Sequence, residues 1–276
     1  MARVSAQPRA DRTVKLSDGR SLAFAEWGDL EGRPVFLFHG RPGSRLLCPD
    51  EDATKAAGVR LVTVDRPGYG RSDPRPGRTL LDWGGDVEEL ADQLGIDQVG
   101  IPSRVTVVGL AAAPGPCDKV PGAWDAQPEE VRTLTELLWN DDPAALEGIR
   151  KRVQWFADDP ESLFIPGWAG PDDPDAVLLA DPEILEAMQE WMREAARQGT
   201  AGFVEDWIAE QQRWGFEPSD IEHDVHVWWG ERDALVSRAD TDYLSSVLPK
   251  ATRVTYPDEG HLFPVTHWAE ILAGLL

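Results

Sequence analysis

The sequence predicts an α/β fold: a mostly parallel sheet flanked by helices. Two continuous apolar runs, residues 35–38 and 61–64, each end in a glycine-rich turn, and a helix-length segment separates them. Two further strand-and-turn units follow near the C-terminus, at 225–229 and 253–256. With 276 residues, 42% of them hydrophobic, the chain can bury one large core, alone or with a smaller insert.

The elements follow in order. Residues 13–16 and 21–26 alternate apolar and polar, and Ser17-Asp18-Gly19-Arg20 supplies turn chemistry between them, which predicts a hairpin. Residues 35–38 read as a strand buried on both faces, leaving through His39-Gly40-Arg41-Pro42-Gly43, where Gly40 and Gly43 let the backbone turn tightly and expose its N–H groups. Residues 61–64 repeat that logic and run into DRPGYGRSD at 65–73. Over 79–94, Leu80, Leu81, Val87, Leu90, Ala91 and Leu94 lie at helical spacing; Gly95 is placed to cap the C-terminus, and Gly84-Gly85 is a weak point.

Beyond residue 117 the composition shifts. Trp124, Trp139, Trp155, Trp168, Trp191, Trp207 and Trp214 fall here, with helical stretches at 128–138 and 182–197 and proline-rich joints such as 164–175. The acidic runs read as solvated helix faces. The chain then returns to strands, 225–229 leaving through Gly230-Glu231-Arg232-Asp233 and 253–256 through Pro257-Asp258-Glu259-Gly260-His261. An amphipathic helix over 265–275 closes it, burying Trp268, Ile271, Leu272 and Leu275.

Charge and cysteine content exclude several classes. Acidic residues outnumber basic ones 49 to 27, a formal net charge of −22, and such a field repels nucleic-acid phosphates and anionic lipid. No apolar stretch reaches the roughly 18 residues that cross a bilayer. The N-terminal arginines are not followed by an apolar run of signal-peptide length. Two cysteines, Cys48 and Cys117, are too few for a disulfide framework and fit a reducing compartment, so a cytoplasmic protein is the expectation. No cofactor is implied. His223 and His226 in EHDVH invite a metal reading, but they straddle a strand start without a third ligand, and no metal is expected.

HGRPGS after one strand, DRPGYGRSD after the next, and the later pair WWGERDALV and YPDEGHLF resemble, in this order, the landmarks of the α/β-hydrolase fold family, in its lid-bearing, esterase-like serine hydrolase branch. The resemblance covers most of residues 13–112 and 222–276. It implies a hydrolase core at 1–116 and 222–276, with a helical lid at 117–221 inserted before the last strands. The lid aromatics could line an apolar substrate pocket, or simply form the lid's own core, as large aromatics usually do. Asp233 and His261, each just past a strand end, match the family's acid and base in the Ser, acid, His order of the fold. The carboxylate would hold the imidazole in the tautomer that accepts a proton. The Gly40-Arg41 loop is similar to the oxyanion loop, with the Arg41 N–H as donor; Pro42 has none. His39 there has a structural role in the family. The lid bears no tyrosine, which argues against the epoxide-opening branch.

The nucleophile is the exception. The family places a serine on a strand-to-helix elbow, G-x-S-x-G or a close variant, and no such motif occurs in this chain, in serine, aspartate or cysteine form. Between Gly95 and Pro114 the sequence offers only IDQVGIPSRVTVVGLAAA. Two alignments fit. In the favoured one, residues 104–110 form the strand that follows the elbow helix, and about 20 to 30 residues carrying the central strand, serine and helix are absent. In the other, the segment is the central strand and Ala111 stands where the serine belongs. Pro114, Gly115 and Pro116 favour the first, because they prevent the long helix an elbow requires. Ser103, Ser44, Cys48 and Cys117 are the substitutes to test against the His261 imidazole.

The sequence therefore reads as an α/β-hydrolase-family protein for esters or other small acyl compounds, impaired or inactive for want of a nucleophile. The alternative is a non-catalytic protein that binds a small apolar ligand or a partner on the same scaffold. A truncated gene product is the third reading of the same gap. Substrate-binding residues are not legible.

Overall fold

The computed structural model describes residue 4 and residues 7–96, 105–164 and 172–276. Its strands are β1 (Ala10–Lys15), β2 (Ser21–Gly28), β3 (Arg33–Phe38), β4 (Val59–Val64), β5 (Val107–Ala111), β6 (Asp224–Gly230) and β7 (Ala251–Tyr256). Helix α1 (Glu51–Ala56) links β3 to β4, and α2 (Asp82–Gln93) follows β4. A helical segment separates β5 from β6: α3 (Ala123–Ala126), α4 (Glu129–Trp139), α5 (Ala144–Arg152), α6 (Gln154–Asp158), α7 (Pro174–Leu179), α8 (Pro182–Ala195) and α9 (Ala201–Gln211). Helix α10 (Arg238–Val247) joins β6 to β7, and α11 (Phe263–Thr266) and α12 (Trp268–Leu275) close the chain. Among the described residues no helix is long and apolar enough to cross a membrane.

The strands form two sheets. One has the order β1-β2-β4-β3, antiparallel at β1/β2 and β2/β4 and parallel at β4/β3; the other is β5-β6-β7, parallel throughout. Among the described residues no ladder joins β3 to β5. This corrects the expectation that residues 35–38 are buried on both faces. Val35, Phe36 and Leu37 are only half-buried and Phe38 is 36% exposed, whereas Leu61 to Val64 of β4 are all buried. The apolar run is there, but among the described residues β3 has a neighbour on one flank only. β5 is likewise half-covered, while β6, paired on both sides, is mostly buried.

One face of the assembly ties the sheets together. Trp27, Val59 and Leu61 share a single cluster with Trp228, Tyr256, Phe263, Trp268, Ile271 and Leu272. Helices α1 and α12 meet beneath it, where the Trp268 indole donates to Thr54 Oγ1 at 2.8 Å. The helix expected over 265–275 is in fact two, broken at His267. That imidazole stacks on Tyr256 at 3.9 Å between centroids and meets Glu259 at 3.0 Å and Glu270 at 3.2 Å, contacts that fix its ring at the break.

The helical segment has its own apolar core. Ile149, Phe156, Leu179, Met188, Trp191, Met192 and Trp207 are buried within it, and Tyr69 from the β4 exit joins them. The α2 helix follows the expected pattern, with Val87, Leu90 and Ala91 buried and Gly95 at φ +65° ending it. Cys48 and Cys117 are both free thiols.

Because no ladder joins the sheets among the described residues, the cluster around Trp228 should carry their union. Trp228→Ala is expected to cost about 3–5 kcal/mol in equilibrium denaturant unfolding. A loss under about 1 kcal/mol would mean that the sheets are joined elsewhere.

Candidate active site

The site begins at the exits of β6 and β7, two adjacent parallel strands. Gly230 ends β6 where a Cβ would collide with the backbone carbonyls of Glu259 and Gly260, so glycine lets the two exit loops close on each other. That approach brings Asp233 and His261 together. The His261 Nδ1 lies 2.9 and 3.1 Å from the two Asp233 carboxylate oxygens. The Asp233 side chain is fully buried, and its Oδ1 also accepts the backbone N–H groups of Leu235 at 2.8 Å and Val236 at 2.9 Å. Three N–H positions thus converge on one carboxylate. A carboxylate facing Nδ1 places the hydrogen of a neutral ring on Nδ1, which leaves Nε2 with its lone pair. The His261 side chain is 29% exposed, and Nε2 makes no hydrogen bond with the described residues. Such a pair can take a proton from a hydroxyl, or hold an imidazolium once formed.

The loop after β3 carries the oxyanion candidates. His39 is buried; its Nδ1 donates to the Gly40 carbonyl at 2.7 Å, and its Nε2 accepts the Arg66 N–H at 3.1 Å, pinning the β3 exit to the β4 exit. Burial, and the Arg66 charge after it, push the imidazole down to about 3, so it stays neutral. His39 is thus a structural brace. A Cβ at Gly43 would strike the Trp191 and His39 rings, so glycine is required there, whereas Gly40 faces open space. The Arg41 guanidinium pairs with Glu210 of α9 at 2.7 Å.

The substitute nucleophiles fare differently. Ser44 is buried and donates its hydroxyl to the Trp191 carbonyl at 2.9 Å. Burial pushes the Cys48 thiol up to about 12, and burial also raises Cys117. Neither supplies a thiolate at neutral pH. Ser103 lies outside the described residues, as do Arg104 and Trp168. Ala111 ends β5 opposite Trp228, Ala112 takes a left-handed backbone at φ +49°, and the next helix begins only at Ala123. His226 stacks on Trp228 at the start of β6.

Sequence reasoning missed the charged seam between the helical segment and the sheets. Three acidic residues read as solvated are buried there: Asp175 at 2%, Glu194 at 7% and Asp206 at 1% exposure. Each has a partner across the seam. Asp175 accepts the N–H groups of His261 at 2.9 Å and Leu262 at 2.8 Å, Glu194 meets Arg45 at 2.5 Å, and Asp206 meets Arg66 at 3.2 Å. The periodicity of their helices carries no signal of those distant donors.

Sheets of this order, with an acid and a histidine at neighbouring strand exits and a glycine turn after β3, define a hydrolase-type α/β protein. A family model described as "Alpha/beta hydrolase family" matches residues 35–274, and the chain belongs to that family. Among curated relatives, a bifunctional esterase/perhydrolase from Acinetobacter calcoaceticus is 26% identical over 95% of this chain and 97% of its own length. A proline iminopeptidase from Xanthomonas citri is 34% identical over 40% of this chain and 36% of its own length. The match spans only 30% to 48% of the length of the first three curated relatives. A solved hydrolase from Pseudomonas aeruginosa PA01 shares the fold at TM-score 0.68 and 19% identity, over 98% of this chain and 99% of that one.

The His39 shift yields a pH prediction. Between about 6.5 and about 3 the unfolded chain binds a proton at His39 and the folded chain does not, so this residue's contribution is complete above 6.5 and is lost as pH falls. Buried Asp65, pushed up to about 6, runs the opposite way between 3.8 and 6. The difference between the native chain and His39→Gln isolates the first term. In denaturant titrations from pH 7 to 4, the native chain should lose more stability than the variant, on the order of a few kcal/mol. Parallel curves would refute the assignment.

Proposed function

We propose that this chain is a serine-hydrolase-like protein for esters or other small acyl compounds that keeps acid, base and oxyanion loop but not the attacking hydroxyl, and so turns such compounds over weakly or not at all. His261 is the base, Asp233 its acid partner, and Gly40 and Arg41 form the oxyanion loop, with the Arg41 N–H as donor. The segment 117–221 acts as the lid over the core at 1–116 and 222–276.

The observation that carries this reading is the break between β3 and β5. A central strand bearing a nucleophile elbow would pair on both sides, yet β5 pairs with β6 alone among the described residues. Half-exposed apolar residues on β3 and β5 are what the loss of a strand between them leaves behind. Ala111 is a poor elbow, because Pro114, Gly115 and Pro116 follow instead of a helix. These features support the absent-segment alignment over the alanine-for-serine one. The esterase and iminopeptidase names of the relatives support acyl compounds as the class recognised.

The second reading is a protein on the same scaffold that holds a small apolar molecule without cleaving it. Saturable thermal stabilisation by an apolar ester or its acid would support that. For the first reading, the purified chain should resist labelling by a fluorophosphonate probe and leave short p-nitrophenyl esters at the buffer rate. Robust hydrolysis that disappears in His261→Ala would overturn it.

A further inference from the structure

The start of α7 reaches both halves of the acid–base pair. Arg232, next to Asp233, donates its guanidinium to the Asp172 carbonyl. Three residues on, the Asp175 carboxylate accepts the N–H of His261 on Oδ2 at 2.9 Å and the N–H of Leu262 on Oδ1 at 2.8 Å. Asp173 caps the same helix and accepts the Asp175 N–H at 2.9 Å, which fixes where Asp175 stands. A Cβ at Gly260 would fall on the Asp175 carboxylate, so the loop before His261 lies directly against it.

We propose that Asp175 is a positioning residue for His261: a buried carboxylate on the helical segment that holds the His261 backbone, and through it keeps the imidazole Nδ1 on Asp233. The inference rests on the reading of His261 as the base for its functional meaning, but its geometry does not involve a nucleophile.

Two features argue for a dedicated role over generic helix packing. The first is cost. A carboxylate at 2% exposure is expensive to bury unless its oxygens are matched, and here each oxygen takes one backbone N–H from consecutive residues. Burial raises the Asp175 carboxyl above its ordinary value, and the Leu262 and His261 N–H groups draw it back. The second is direction. A loop with no ladder of its own beyond Tyr256 has few ways to fix a side chain, and paired N–H groups on one rigid acceptor fix the backbone orientation that aims the imidazole. Asp233 holds the ring at Nδ1 and leaves the backbone that carries it to be fixed by other contacts.

The test is made by NMR on the full chain, so it does not depend on turnover. The Nδ1–H proton of His261, assigned by its loss in Asp233→Asn, reports the ring's hold on Asp233; exchange of the His261 and Leu262 amides reports the clamp. Asp175→Asn preserves size while turning one acceptor into a donor, and Gly260→Ala drives a methyl between loop and carboxylate. Both should broaden or erase the Nδ1–H signal and speed exchange of the two amides about tenfold or more. Leu179→Ala, which loosens the same helix from its apolar side, should leave the signal in place at equal loss of Tm. An unchanged Nδ1–H signal in Asp175→Asn, or the same loss in Leu179→Ala, would overturn the proposal. Fluorophosphonate labelling remains a separate measurement, so failure here and failure of the hydrolase reading are distinguishable.

Discussion

Arg45 is the buried cation on which the arrangement of the molecule depends. At 2% exposure its guanidinium meets Asp65 at 2.8 Å, Asp11 at 2.7 Å and Glu194 at 2.5 Å. Those partners belong to the β4 exit, to β1 and to α8, so one side chain joins the hairpin, the sheet and the helical segment. Burial opposes its charge, but the three carboxylates outweigh that and hold its proton more tightly than usual. Removing any one partner would leave an underpaired charge indoors, which costs far more than a surface ion pair ever contributes. Arg66 with Asp206 and Arg41 with Glu210 add partly exposed ion pairs along the same seam. The helices are thus docked by specific charges, and their place over the sheets is set to within a hydrogen bond.

This docking has a particular burden because the described strands do not form one ladder. Each fully buried aliphatic or aromatic side chain is worth about 1.5–3 kcal/mol, against a net stability of about 5–15 kcal/mol for a typical domain. On the proposed reading, loss of a central strand on that scale has to be offset elsewhere. The cluster around Trp228 packs side chains of both sheets together, and the charged seam ties the helical segment to the β3 and β4 exits. The flank of β3 is half-exposed.

What was legible in the sequence is what local pattern encodes. Strand ends followed by turn residues located Asp233 and His261, because an exit loop after a buried strand is a short-range signal. The hairpin and α2 were legible for the same reason. The burial of β3 was misread because an apolar run reports composition and says nothing about whether a neighbour exists. Asp175, Glu194 and Asp206 were misread because their partners lie far along the chain, and an acidic residue facing a buried arginine looks, in sequence, like one facing water. The break at His267 depends on Glu259 and Tyr256, again outside the helix it interrupts.

The division of the site between the two sheets explains why one part of it is well formed. Asp233 and His261 leave adjacent strands of the β5-β6-β7 sheet, so their 2.9 Å contact is set by the β6/β7 register, by Gly230 and by Asp175. None of these requires a strand between β3 and β5. The Gly40-Arg41 loop leaves β3, in the other sheet, and is held by His39 to Arg66 and by Arg41 to Glu210. The Asp233–His261 pair and the Gly40-Arg41 loop are therefore related through the helical segment and the Trp228 cluster, and, among the described residues, not through a common ladder. On the proposed reading, a missing central strand removes the attacking atom and the rigid spacer between these halves together. The acid–base pair would survive such a loss intact, since everything that orients it lies on its own side of the break.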